Sequence, residues 1–369
     1  MPNKIIILHD YFLYKGGGER LVISMAKILN ADIATAFIAK DAFDPRGQIS
    51  GRVIELYREK SWSRVPGFRY LQVQLSFLLK TGFLKNYDTV IYSGDCLTAL
   101  LRARHAKNIA YMHTPPRHLF DCYSEKLRSY SWWKKILFVP FAGFNRWRFR
   151  TLSKHFDKII TNSKNTQARI KKFLGLESIV VYPPCDTLPF KNLSQGDYFF
   201  SWARLYSVKR IDLIAQAFTQ MPDKKLIIAS GGPELQKIQK MAEGHDNIKI
   251  VGWISDDELL QYLGKCLATI YIPVREDFGM SPVESMTAGK PVIGVAEGGL
   301  LEIIEDQKNG VMLPADPTEN DLIQAVDELT PAKALAMEQN CYATARKFTE
   351  AEFARKVREE IYKLRSRAV

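Results

Sequence analysis

The chain has 369 residues, enough for two domains at roughly 100–200 residues each. Apolar residues make up 46% and charged residues 25%, and 22 glycines and 17 prolines are too few for a disordered or fibrous chain, so ordinary cores can form. The formal charge of +12 is uneven: residues 1–190 hold 30 Lys/Arg against 14 Asp/Glu, and residues 191–369 hold 22 against 26. Opposite balances suit two domains, the first facing phospholipid headgroups, a phosphorylated substrate or nucleic acid. The five cysteines are scattered without a CxxC, which disfavours a disulfide framework or zinc knuckle and fits a reducing cytoplasm. The apolar run 5–8 is too short for a signal peptide, and 136–144 falls well short of the ~20 residues of a membrane span.

In chain order, residues 4–9 read as a buried strand, Lys15-Gly16-Gly17-Gly18-Glu19 as a glycine loop, and the spacing of Leu21, Val22, Met25, Ala26, Ile28 and Leu29 as a helix. Further strands are expected at 89–92, 108–112, 158–161 and 178–182, alternating with helical stretches. Prolines and a charge shift over 182–196 mark a domain linker. The pattern then restarts, with strands expected at 198–202, 225–229, 248–251, 267–272 and 291–295. A helical tail from about 332 to 367 is long enough to pack on both domains. The architecture is therefore α/β, two doubly wound parallel sheets.

Four segments carry candidate chemistry. Gly17 and Gly18 stand between a strand and a helix N-terminus, where backbone can approach an anion, although the spacing is not that of a dinucleotide fingerprint. A plain tight turn is the alternative. Arg204 and Lys209 follow a strand and can clamp a diphosphate, one as a planar fork and one as a point charge, unless the loop is simply a solvated basic one. In the stretch 273–292, Glu276 lies in a loop and Glu284 in the helix after it. Phe278, Gly279 and Met280 offer amides at that helix start. Carboxylates suit vicinal sugar hydroxyls and free amides suit phosphate oxygens. Two unrelated surface glutamates are the alternative, but the apolar neighbours of Glu284 suggest burial, which is costly without a partner. His113 follows a strand and leads through two prolines to Arg117 and Asp121, a placement that a structural histidine would also satisfy.

Residues 126–155 contain no Asp or Glu. Eight Lys/Arg there are interleaved with aromatics. Trp132, Trp133, Lys134, Lys135, Arg146, Trp147 and Arg148 suit an anionic membrane surface. A core helix with a cationic face or a single-stranded nucleic-acid site would share the pattern, but no RNA-module signature accompanies it. No P-loop, HExxH, GxSxG or Asp-x-Asp occurs.

These residues resemble a family. Glu276-Asp-Phe-Gly-Met-Ser-Pro-Val-Glu284 is similar to the signature of GT-B-fold retaining glycosyltransferases of family four. Ala203 to Arg210 resembles that family's diphosphate-binding segment, and His9 to Arg20 its N-terminal glycine loop. Tyr111 to Asp121 is similar to bacterial mannosyltransferases of O-antigen or capsule synthesis. Ser285 and Ala203 depart from the family's usual alanine and glycine.

The resemblance implies two Rossmann-like doubly wound domains facing across a cleft. They would span 1–186 (acceptor-binding) and 187–345 (nucleotide-sugar-binding), with a helix from about 346 to 369 returning to the first. It implies that Arg204 and Lys209 neutralise the leaving diphosphate and that Glu284 binds the ribose. Glu276 and the amides of Phe278, Gly279 and Met280 would hold donor-sugar hydroxyls. Gly17 and Gly18 would lie against phosphate or acceptor, with Arg117 in the acceptor loop and His113 near the reacting carbon. The expected reaction is metal- and cofactor-free transfer of mannose from GDP-mannose to a lipid-linked glycan. The expected place is the inner face of the cytoplasmic membrane, alongside other polysaccharide assembly enzymes. A UDP-sugar donor, a nucleotide-sugar epimerase on the same fold, and a non-catalytic basic binding module are the alternatives.

Overall fold

The computed structural model describes residues 4–58 and 66–366. The chain divides into two compact units, Met1–Tyr182 with Phe353–Val369, and Pro183–Glu352. The first unit holds a parallel sheet of β1 (Ile5–His9), β2 (Asp32–Thr35), β3 (Val53–Glu55), β4 (Thr89–Ser93), β5 (Lys107–Met112), β6 (Lys158–Thr161) and β7 (Ile179–Val180), in the order β3-β2-β1-β4-β5-β6-β7. Its helices are α1 (Gly17–Leu29), α2 (Pro66–Leu79), α3 (Tyr123–Arg128), α4 (Trp132–Ser153) and α5 (Lys164–Leu174).

Alternation along β1 explains the layering. Ile6 and Leu8 enter one core with Val90, Tyr92, Ala110 and Phe77. Ile7 enters the opposite core with Ile33, Ile91, Ile109 and the α1 residues Leu21, Val22 and Met25. Both faces are covered, which is why the strands read as unbroken apolar runs. The β2 and β3 strands are short and half-polar, and sequence analysis did not single them out.

The second unit holds β8 (Tyr198–Ser201), β9 (Lys225–Ala229), β10 (Ile248–Gly252), β11 (Ala268–Tyr271), β12 (Val292–Val295) and β13 (Gly310–Leu313), parallel and in the order β10-β9-β8-β11-β12-β13. Its helices are α6 (Ile211–Thr219), α7 (Leu235–Ala242), α8 (Asp256–Lys265), α9 (Met280–Thr287), α10 (Glu319–Glu328) and α11 (Pro331–Ala345). The helical tail is two helices, because a 3-10 turn at Arg346–Phe348 separates α11 from α12 (Glu350–Ser366). The segment 183–196 is not a loose linker: Lys290 donates to Asn192 Oδ1 (2.8 Å) and to the Ser194 carbonyl (2.7 Å).

Each sheet reverses its winding beside its first strand, between β1 and β4 and between β8 and β11. Open α/β sheets place ligands at the carboxyl ends of strands beside such a reversal.

From α12, Phe353, Val357 and Ile361 enter the α1-side core of the first unit, and the Phe353 ring meets Tyr111 edge-on at 6.1 Å. Phe353→Ala is expected to lower the unfolding free energy by about 3–5 kcal/mol in denaturant titration, as for other buried aromatics. A loss below about 1 kcal/mol would show that α12 is not part of this core.

Candidate active site

In the second unit, β8 ends at Ser201 and the chain turns through Arg204 into a 3-10 turn at Ser207–Lys209. The Val274 amide donates to the Val208 carbonyl at 2.8 Å, which lays this turn against the loop after β11. The consequence is a compact network. Lys209 Nζ donates to Glu276 Oε2 (2.5 Å) and to the Tyr271 hydroxyl (2.8 Å), and that hydroxyl donates to the same Oε2 (2.8 Å). Burial, and after it the Glu276 carboxylate, pushes the Tyr271 phenol well above its ordinary value, so it remains a donor.

The charge of Lys209 is thus matched by the Glu276 carboxylate. Arg204 is half-buried in the preceding loop. Arg210 points elsewhere, to the Ala315 carbonyl (2.9 Å) and Asp316 (2.8 Å). Sequence analysis missed Tyr271.

The loop carrying Glu276 is held from behind. The Gly299 amide donates to the Glu276 carbonyl at 2.9 Å. A Cβ on Gly298 would lie 2.2 Å from that carbonyl oxygen, and one on Gly299 2.4 Å from the Phe278 Cα, so both glycines are required by close approach. Phe278 is buried against Phe348 (ring centroids 5.4 Å apart). Its side chain is thus structural, which leaves only its backbone for a ligand. Gly279 has φ 96° and caps α9, so Met280 begins the helix with its amides at the positive end of the dipole. Glu284 is 6% exposed in the second turn of α9. Ser285 fits without strain: its hydroxyl lies 2.7 Å from Thr269 Oγ1 and donates to the Lys290 carbonyl at 3.0 Å.

In the first unit, the ends of β1, β4 and β5 form a second polar cluster. Ser93 Oγ lies 2.8 Å from His113 Nε2, and His9 Nδ1 lies 3.1 Å from the Ser93 carbonyl. Burial, with a smaller contribution from His9, lowers the His113 pKa to about 4, so the imidazole is neutral at pH 7. Asp10 was also missed. It is half-buried, desolvation raises its pKa, and it accepts from the amides of Tyr11 (3.0 Å) and Asp95 (3.3 Å). Gly94, at φ 96°, is required because a Cβ would sit 2.5 Å from the Asp10 carboxyl carbon. Gly17 opens α1, and a Cβ on Gly18 would meet nothing within 4 Å. The protein's own packing does not demand glycine at 18.

Arg117 pairs with Asp121 at 3.3 Å, a carboxylate shared with Arg169 at 2.9 Å. Trp132, Trp133, Lys134 and Trp147 are exposed on α4, and Lys135 is half-buried. Arg148 is not, and the membrane assignment is corrected there. It is buried and donates to Asp95 (2.9 Å), Gln74 (2.5 Å) and Tyr70 (2.6 Å). A charge with these partners is held by the fold, because burying it unpaired would be far costlier. Arg146 is half-buried, its guanidinium 3.8 Å from the Tyr123 ring centroid and its Nε donating to the Leu119 carbonyl. Among the described residues, no three His, Cys, Asp or Glu side chains gather as a metal set.

Two tests follow from this geometry. Tyr271→Phe removes the hydroxyl joining Lys209 to Glu276, and turnover is expected to fall about tenfold or more, the worth of a hydrogen bond to charged groups. Wild-type turnover would remove the positioning role. For His113 the folded pKa of about 4 lies below the ordinary 6.5. Its contribution to stability is therefore complete above pH 6.5 and lost as pH falls toward 4. Asp10 acts with the opposite sign, so the variant comparison isolates the histidine. Between pH 7 and pH 4.5, His113→Gln is expected to lose less denaturation midpoint than wild type, and equal losses would contradict this.

Residues 15–187 match Glycosyltransferase Family 4, and residues 187–348 match Glycosyl transferases group 1. An uncharacterized glycosyltransferase of Methanocaldococcus jannaschii is 30% identical over 50% of this chain and 52% of its own, so the chain spans about half of that relative. The alpha-1,3/1,6-mannosyltransferase of Homo sapiens is 26% identical over 86% of this chain and 85% of its own. The solved structure of Anabaena HepE in complex with UDP-glucose superposes with a TM-score of 0.75 at 17% identity, covering 97% of this chain and 99% of that one. With two doubly wound parallel sheets and two successive family matches over nearly its whole length, the chain belongs to the family-four glycosyltransferases and has the GT-B fold.

Proposed function

We propose that this glycosyltransferase is a retaining mannosyltransferase that takes mannose from GDP-mannose and extends a lipid-linked glycan in bacterial surface polysaccharide synthesis. It works without metal and lies peripherally on the inner face of the cytoplasmic membrane. The observation that carries the reading is the Lys209–Glu276–Tyr271 network in the loop leading to the α9 N-terminus. It sets a cation, a sugar-binding carboxylate and helix-end amides on neighbouring loops. The mannosyltransferase relative supports the sugar, and the exposed tryptophans and Lys134 of α4 support the membrane. No helix among the described residues is long and apolar enough to cross a bilayer.

The leaving group is a nucleoside diphosphate, and its growing charge is the chief barrier to breaking the glycosidic bond. Arg204 supplies a planar donor pair, Lys209 a point charge, and the amides of Phe278, Gly279 and Met280 further donors, all preorganised by the loops described above. Glu276 binds and orients sugar hydroxyls. When a diphosphate shares Lys209, the Tyr271 hydroxyl remains on Glu276 and keeps the carboxylate in place. Neutral His113 offers a hydrogen bond without repelling an oxocarbenium-like sugar. Glu284 takes the ribose hydroxyls.

A UDP-sugar donor is the second reading, favoured by the UDP-glucose bound in the HepE structure. A donor screen across GDP- and UDP-sugars, with a lipid-linked acceptor and chelator present, tests both. Glycan extension from GDP-mannose is expected, with Arg204→Ala lowering turnover at least a hundredfold. Extension from a UDP-sugar alone would shift the donor, and isomerised donor with no acceptor consumed would indicate an epimerase.

A further inference from the structure

We propose that α2 and α4 together form the surface on which the chain docks to an anionic lipid bilayer, α2 entering the acyl boundary while α4 supplies cations and interfacial tryptophans. The proposal rests on the peripheral-membrane reading above and adds to it a helix outside the basic, aromatic stretch.

Helix α2 has a row of large apolar side chains in solvent: Phe68 at 62% exposure, Leu71, Leu75, and Leu79 at 64%. The spacings of three, four and four residues put them on one side of the helix. The opposite side is filled, with Val73, Gln74, Ser76 and Phe77 buried. A helix of a globular protein normally turns its one apolar row to the core. Here the core side is satisfied and a second row is left over. Helix α4 does the same. Ala142, Asn145 and Phe149 are buried, while Trp132 (74% exposed), Trp133, Ile136, Leu137, Phe144 and Trp147 are not.

The two helices are tied by their inner sides. Tyr70 donates to Asn145 Oδ1 at 2.6 Å, Arg148 bridges Tyr70 and Gln74 to Asp95, and the Tyr70 and Phe141 rings meet edge-on at 5.3 Å. The 3-10 turn Leu97–Arg102 packs against both and exposes Leu101. In the second unit, by contrast, exposed large apolar side chains such as Trp253, Leu301 and Leu335 stand apart in the chain. Scattered single residues of that kind are ordinary, whereas clustered ones mark an interaction surface.

Charge decides the occupant. No Asp or Glu occurs between residues 60 and 87 or between 126 and 155, so both helices are free of carboxylates. Lys134 is exposed and Lys135 half-buried at the start of α4. A second copy would set this cationic surface against itself, since a two-fold interface pairs like patches. Anionic headgroups supply the missing negative charge, and tryptophans belong at the headgroup level.

Co-sedimentation of the full chain with phosphatidylglycerol/phosphatidylcholine vesicles tests this. Leu71→Ser/Leu75→Ser changes no charge and alters only exposed side chains. Binding at least tenfold weaker than wild type is expected, with Leu335→Ser as an unaffected control. If the double variant fails to fold by circular dichroism, Leu79→Ser alone is expected to weaken binding at least threefold. Undiminished binding by the folded variants would overturn the role of α2 and leave the peripheral reading standing on α4. Absence of binding by wild type would overturn both. A dimer in sedimentation velocity that the double variant dissolves, without vesicle binding by wild type, would reassign the surface to self-association.

Discussion

One ammonium shared between a carboxylate and a phenol fixes the geometry of the second unit. Lys209 leaves a turn after β8, while Tyr271 and Glu276 come from the end of β11 and the loop beyond it. These are the two strands flanking the reversal of the sheet. The required glycines at 298 and 299 press the backbone of the same loop from behind, so side chain and main chain are fixed from opposite directions. Such preorganisation is what electrostatic catalysis needs, because donors already in place do not reorganise when charge develops.

The first unit repeats the plan with different chemistry. Its sheet also reverses beside its first strand, and the polar cluster there joins an imidazole to a carboxylate held by backbone amides. His113 is neutral through burial, and Asp10 is shielded among backbone amides. The cations proposed to meet a diphosphate, Arg204 and Lys209, lie in the other unit.

Much of this was legible in the sequence, for physical reasons. Doubly covered parallel strands must be apolar throughout, so β1, β4, β5 and β11 announced themselves. Glu284 stood out because a carboxylate among Pro282, Val283 and Met286 is expensive. Tyr271 was hidden, since a tyrosine ending a buried strand looks like core and its partner Lys209 lies 62 residues away. Arg148 misled for a related reason. It sits within an unbroken basic stretch, yet its position on α4 turns it toward Asp95, 53 residues earlier. The apolar row of α2 reads as a core face in any periodicity argument, and only the packing shows that the core is already full on the other side.

The central claim is that fixed cations of the second unit take the charge of the departing nucleotide. A crystal structure of the chain with a bound nucleoside diphosphate, grown with chelator present, measures this directly. The account predicts phosphate oxygens within hydrogen-bonding distance of both the Arg204 guanidinium and the Lys209 ammonium, with Tyr271 still on Glu276. A diphosphate seated away from both cations would contradict it.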